Sequence, residues 1–168
     1  MLLGQMGDES GQAKYHEIAK EMAEDWEKRA DAGDHYMLAF GEADTWSLKY
    51  NIVWDRLLDI NIFDKEVSER EQAFYLTKLN RYGVPLDSRA NYTKLDWMAW
   101  TTVMADVPEY TKAVYESMTN MTRDSLDRVP MTDWYDTVSG TQIGFIHRTV
   151  QGGLYIKMLD ESKKLKLT

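Results

Sequence analysis

The 168-residue chain contains no cysteine, which removes disulfides, thiol catalysis and cysteine-ligated zinc together. Proline is scarce, at three residues, so little of the chain is barred from helix on that ground. No run approaches the roughly 18 apolar residues of a membrane span. The opening MLLGQMGDES has neither the basic start nor the long apolar stretch of a signal peptide. Positive charge is also short, since 20 Lys and Arg against 28 Asp and Glu leave a net charge of −8. Without a basic stripe to meet phosphates, nucleic acid is not an expected partner, and neither is a membrane. Residues 1–34 hold nine acidic and four basic side chains, whereas Lys163, Lys164 and Lys166 crowd the other end. Both stretches read as solvated surface.

What remains is ample for one domain with its own core: 43% hydrophobic residues, six Trp and ten Tyr. The apolar spacing is helical almost throughout. It predicts helices over about residues 10–32, 46–60, 64–81, 93–105, 108–126 and 144–159. Thr93 and Asp96 resemble a capping box, Pro108 suits a first helical turn, and Gly83 reads as a stop after the third helix. No segment alternates with period two for long, so no strand is expected.

The predicted helices alternate in character. The first, third and fifth are long and charged, as surface helices are. The second, fourth and sixth are richer in aromatic and apolar residues. The fourth carries one charge, Asp96; the sixth carries Arg148 and Lys157 and holds Gly152-Gly153, which predicts close packing against a neighbour. The fold class expected is all-α, with three antiparallel helical hairpins. Links into the inner helices, 33–45, 82–92 and 127–143, are longer than the usual 4–6 residues or so. In an up-down array these links gather on one rim, at the N-termini of the inner helices, where an anion or carboxylate is favoured.

The rim segments carry the motifs WSLKYNIVWDRLL (46–58), YGVPLDSRANYTKLDW (82–97) and RVPMTDWYDT (128–137). These closely resemble the glutaminase A family of secreted fungal and bacterial proteins, and the resemblance runs from about residue 10 to about residue 159. It implies a larger parent protein with a β-rich region and an (α/α)6 six-hairpin toroid, of which this chain matches the last part. It also implies hydrolysis of L-glutamine to L-glutamate and ammonia, in a secreted or periplasmic parent. On that reading the expected partners are a small-molecule substrate and the remaining hairpins of the parent chain, or self-association through uncovered apolar surface.

Amide hydrolysis without cysteine or metal needs an activated water or hydroxyl and an acid for the leaving amine. Asp87, Asp96 and Asp133 are the candidate catalytic carboxylates. Arg89 and Lys94 are candidates to hold the α-carboxylate of an amino acid. Tyr50, Tyr92, Tyr135, Trp46 and Trp134 are candidates to line the pocket, while Trp97 and Trp100 at helical spacing read as core. Each carboxylate also has a structural reading: helix capping for Asp96, a turn for Asp87, an N-cap or Asx turn for Asp133. Asp55 reads as structural, and Arg89 and Lys94 are equally suited to pairing with the aspartates. His16, His35 and His147 lack ligand spacing, so neither a metal nor another cofactor is expected. Two other readings stay open. One is a carbohydrate-active toroid, which needs two carboxyls across a cleft and favours a Trp platform. The other is an inactive segment that only completes a toroid.

Overall fold

The computed structural model describes residues 1–162, so the C-terminal lysines Lys163, Lys164 and Lys166 lie outside the described residues. Helix forms in most of the places where the apolar spacing predicts it. α1 (Leu2–Gln5) and α2 (Glu9–Ala30) are followed by a 3-10 turn at Tyr50–Ile52 that runs into α3 (Val53–Leu57). Then come α4 (Lys65–Thr77), β1 (Tyr92–Lys94), α5 (Leu95–Thr101), α6 (Pro108–Asp124) and β2 (Trp134–Asp136). A second 3-10 segment, Thr149–Tyr155, leads into α7 (Ile156–Ser162). Asp8 caps α2 by accepting the Gly11 amide at 2.8 Å, and Pro108 opens α6 as predicted. The chain is largely helical with one small sheet, an architecture consistent with a six-hairpin helical domain.

Several expectations are overturned. First, strands are present: β1 and β2 pair antiparallel, with Tyr92 opposite Asp136, Thr93 opposite Tyr135 and Lys94 opposite Trp134. Three residues are too few to show alternation, and only the long-range pairing makes them strands. Second, the capping box does not form. Thr93 belongs to β1, Lys94 occupies the cap position of α5, and no side chain closes that end. Third, the inner helices are shorter than the apolar runs that predict them. Residues 46–48 stay outside helix because their backbone pairs with residues 86–88. Residues 144–148 stay outside helix because Ile146 pairs with Thr132. Although the sixth segment is rich in apolar residues, Phe145, Tyr155 and Met158 are exposed and Ile156 is buried.

The main core lies between α4, α5, α6 and the strand pair. It is built from Phe74, Tyr75, Leu95, Met98, Ala99, Tyr110, Val114, Met121 and Tyr135, among others. The charged α4 was expected at the surface, yet it buries Glu71 and Gln72 completely. Both satisfy backbone groups that lack a helical or sheet partner. Glu71 accepts the Tyr36 amide at 2.6 Å, and Gln72 donates to the Thr101 carbonyl at 2.7 Å, which fastens α4 to the end of α5. A smaller cluster of Ala30, Tyr36 and Val67 with Trp26 anchors the end of α2.

Gly153 meets the close-packing expectation. An added Cβ there comes within 2.8 Å of both Asp96 Cβ and Trp100 Nε1, whereas Gly152 faces open space. Gly83 is not a helix stop, because α4 ends at Thr77. It takes a φ of +137° in a tight turn, where a Cβ would lie 2.5 Å from the Met98 sulfur. The long links are ordered by their own hydrogen bonds: Tyr82 donates to the Thr137 carbonyl at 2.9 Å, and Thr137 to the Asn91 carbonyl at 2.8 Å.

Tyr135 fastens the strand pair to the turn at Gly83. Its ring is fully buried and its hydroxyl donates to the Tyr82 carbonyl at 2.9 Å. Replacing it by Phe keeps the ring and removes that donor. The expected cost is about 1 kcal/mol, seen as a fall of roughly 2–4 °C in the thermal midpoint. Thermal unfolding followed by circular dichroism checks this, and an unchanged midpoint would show that the bond contributes nothing.

Candidate functional site

The three motifs meet through backbone pairing: the strand pair joins the second to the third, and residues 46–48 join the first to the second. Leu48 donates to the Leu86 carbonyl at 2.8 Å and Ser88 to the Trp46 carbonyl at 2.9 Å, which sets Ser47 opposite Asp87. The next turn folds Arg89 back onto Asp87. The Arg89 backbone amide and Nε both donate to Asp87 Oδ1 at 2.9 Å, and Nη2 donates to Oδ2 at 2.7 Å. Asp87 itself is buried, but the Arg89 side chain is 66% exposed. Burial pushes the Asp87 carboxyl up; the hydrogen bonds and charge of Arg89 outweigh it and hold the carboxyl below the usual range.

This pair borders an open cleft of about 520 Å³, lined also by Tyr50, Trp97, Lys49 and Trp26. The Tyr50 ring stacks on Trp97 with centroids 4.4 Å apart and planes 7° from parallel. Lys49 is already committed: its ammonium donates to the Tyr36 carbonyl at 3.0 Å and to Ser47 O and Oγ at 3.1 and 2.9 Å.

The third motif enters through a buried ion cluster beside the cleft. Asp133 is fully buried at the start of β2, where its carbonyl accepts the Leu95 amide at 2.8 Å. Its carboxylate contacts the buried Lys94 ammonium and accepts from Arg148, Nη2 at 2.5 Å and Nε at 3.2 Å. Both cations lie over the Phe145 ring, Lys94 at 5.1 Å and Arg148 at 4.0 Å. Burial lowers the Lys94 ammonium to about 8, with the Asp96 charge opposing and the Arg148 charge adding. Trp134 packs on Phe145 at 5.3 Å and against the edge of Tyr92 at 5.5 Å.

Asp96 lies between the two groups, in the first turn of α5. It is 3% exposed, and its Oδ1 has no hydrogen-bond partner. Burial pushes its carboxyl above the usual aspartate range, against the opposing charge of Lys94. The residue after it, Trp97, lines the cleft. The Tyr50 hydroxyl is likewise raised, by burial and then by the Asp96 charge.

The structure therefore divides the candidates. Asp87, Arg89 and Tyr50 line the cleft, and Asp96 lies next to it. Lys94 and Asp133 are paired inside the protein, so Lys94 is not open to a substrate carboxylate. Trp46 and Tyr135 are core residues, Trp46 edge-on to Phe74 at 5.7 Å. Tyr92 and Trp134 belong to the strand pair and pack against each other; neither lines the cleft, although the Tyr92 carbonyl accepts the amide of Leu86, which does. Trp97, which lines the cleft, and Arg148, in the ion cluster, are not among the candidates. A cation in a nearly uncharged stretch was the signal for Arg148; helical spacing gave Trp97 no signal beyond core. Asp55 is structural, accepting the Ile62 and Phe63 amides at 2.9 and 3.1 Å. Among the described residues, no group of three or more His, Asp or Glu side chains is arranged to hold a metal ion.

The profile of the glutaminase A six helical-hairpin domain matches residues 1–158. The chain is 31% identical to glutaminase A of Aspergillus oryzae, a match that covers 88% of this chain and 22% of that protein. It is 25% identical to a probable glutaminase of Arthroderma benhamiae, covering 72% of this chain and 17% of that protein. No solved structure matches it. The chain thus spans about a fifth of the length of these curated relatives, and it belongs to the glutaminase A six helical-hairpin domain family.

Asp133 and Asp96 differ in what their loss does to stability. Asp133→Ala leaves Lys94 buried without its carboxylate and is expected to cost about 3–5 kcal/mol. Asp96→Asn has the opposite sign. The folded state disfavours ionised Asp96, so the penalty is absent below the unfolded value of about 3.9 and grows as pH rises through the folded value. Thermal midpoints of Asp96→Asn are therefore expected above wild type at pH 7, with the gap closing near pH 3.5. A gap of the other sign at pH 7 would show that Asp96 is a stabilising ion-pair member.

Proposed function

We propose that this chain is a segment of a glutaminase-like hydrolase that converts L-glutamine and water to L-glutamate and ammonia. Its part of the site is the cleft bordered by Asp87, Arg89, Tyr50 and Trp97. The observation that carries the reading is that two carboxyls beside one cleft are driven apart. Arg89 keeps Asp87 ionised, while burial keeps the proton on Asp96 to higher pH. Acid and base work at one pH needs such a separation. Two relatives named as glutaminases support the choice of reaction.

In this reading Arg89, anchored by Asp87 and exposed to the cleft, meets the α-carboxylate of the amino acid. Asp96 supplies the proton that leaves with ammonia as the C–N bond breaks, and Asp87 accepts a proton from the attacking water. Lys94, Asp133 and Arg148 hold the wall behind Asp96. The stacked Tyr50 and Trp97 rings also suit the face of a sugar, so a glycosidase-like activity is the second reading. The parent protein is expected to act outside the cytoplasm, as the family resemblance implies.

Ammonia release from L-glutamine by the purified protein tests the first reading. Release is expected in wild type. It should fall by about 10²-fold or more in Asp96→Asn, and Arg89→Ala should chiefly raise KM. Release of reducing sugar in place of ammonia would move the assignment to the second reading.

The exposed stripe Tyr15, Ile18 and Met22 on α2 supports three hairpins packed into a six-hairpin toroid, with further hairpins of a longer chain as the cover. The isolated 168-residue chain is then expected to self-associate through this stripe. Tyr15→Glu with Met22→Glu should reduce the mass measured by light scattering without changing helix content. An unchanged mass would remove α2 as the docking face.

A further inference from the structure

Asp96 is reached from one side by a segment whose contribution the proposed reaction does not use. The 3-10 segment Thr149–Tyr155 packs directly on α5. At the contact, Gly153 presents only its Cα. A Cβ built there comes 2.8 Å from Asp96 Cβ, 2.8 Å from Trp100 Nε1 and 3.3 Å from Asp96 Cα. The last of these is backbone of the first turn of α5, which cannot swing aside as a flexible side chain would. The neighbouring Gly152 meets nothing within 4 Å, so the close approach belongs to one glycine of the pair. Two polar groups end at this contact without partners, Asp96 Oδ1 and Trp100 Nε1. A buried polar group without a partner persists only where the surrounding packing keeps water out.

We propose that Gly153 is a positioning residue for Asp96: it lets the 149–155 backbone lie flat on the first turn of α5 and seals the carboxyl from water. The inference rests on the reading of Asp96 as the acid of the reaction, but the sealing itself does not. Any larger residue at 153 lifts the segment, and water then reaches the carboxyl. The groups facing Asp96 are Lys94 from β1, Arg148 from the approach to the 3-10 segment and Tyr50 from the turn before α3. Asp133, just before β2, holds Lys94 and Arg148 in turn. On α7, Lys157 is engaged with Asp160 and Glu161; on α6, Arg123 is engaged with Asp124. Gly153 changes none of these charges, so its effect is on hydration.

The test is the pH titration of the Asp96 side-chain carboxyl by carbon NMR, with the signal assigned by its loss in Asp96→Asn. Gly153→Ala is expected to lower the midpoint toward the ordinary aspartate value of about 3.9. Gly152→Ala is expected to leave it in place. Trp100→Phe opens the same contact without adding atoms and should lower the midpoint too, which keeps the test sound if Gly153→Ala does not fold. A midpoint that stays in place in a folded Gly153→Ala, or in Trp100→Phe, overturns the proposal. The alkaline limb of ammonia release, where Asp96 loses its proton, should move with the midpoint. A midpoint that shifts while wild type releases no ammonia would keep Gly153 as the seal and reject the hydrolase reading.

Discussion

The buried carboxylate of Asp133 is the point on which this end of the molecule depends. Removing a carboxylate and an ammonium from water costs several kcal/mol each, and only close pairing returns it. Asp133 is fully buried, and it is met by Lys94 from β1 and Arg148 from the approach to the second 3-10 segment. Its backbone carbonyl also takes the first amide of α5. One residue thus fixes the register of the strand pair, the entry into α5 and the path of residues 145–149. With those three in place, Asp96 is left facing packed side chains and Gly153 instead of solvent. The upward shift in the Asp96 carboxyl comes from this burial, and the charges of Lys94 and Arg148 oppose it.

The same economy appears in the core. Long irregular links leave backbone donors and acceptors that neither helix nor sheet can satisfy. Here polar side chains supply the partners: buried Glu71 for the Tyr36 amide, buried Gln72 for the Thr101 carbonyl, half-buried Asp55 for the Ile62 and Phe63 amides. Thr137 does the same between two links, accepting from Asn80 Nδ2 at 2.9 Å and donating to the Asn91 carbonyl at 2.6 Å. A link held in this way can carry an aromatic wall such as Tyr50 against Trp97, because neither ring has to restrain the chain by itself.

The position of the cleft follows from one backbone pairing. Because residues 46–48 run antiparallel to residues 86–88, the first motif delivers Tyr50 and the second delivers Asp87 and Arg89 to the same opening. The third motif, equally marked in the sequence, arrives behind the wall of that opening. A shared motif pattern is therefore no guide to whether a residue touches substrate or supports one that does. Asp87 and Asp133 are both buried aspartates bound by arginine, and what distinguishes them is that Asp87 lines the cleft and Asp133 does not.

The sequence by itself determined the helical class, the placement of α2, α4, α5 and α6, the proline start of α6 and the family, because these rest on spacing within a few residues and on long aromatic motifs. It also marked Asp87, Arg89, Asp96 and Tyr50, which lie on or beside the cleft. Only the tertiary structure decided that residues 92–94 and 134–136 are strands, since a three-residue strand exists through its partner and has no period of its own. The tertiary structure likewise put Trp46 and Tyr135 in the core, drew Lys94 and Asp133 together, and set Gly153 against Asp96. Burial and charge pairing are properties of residues far apart in the chain, and no local pattern encodes the distance between them.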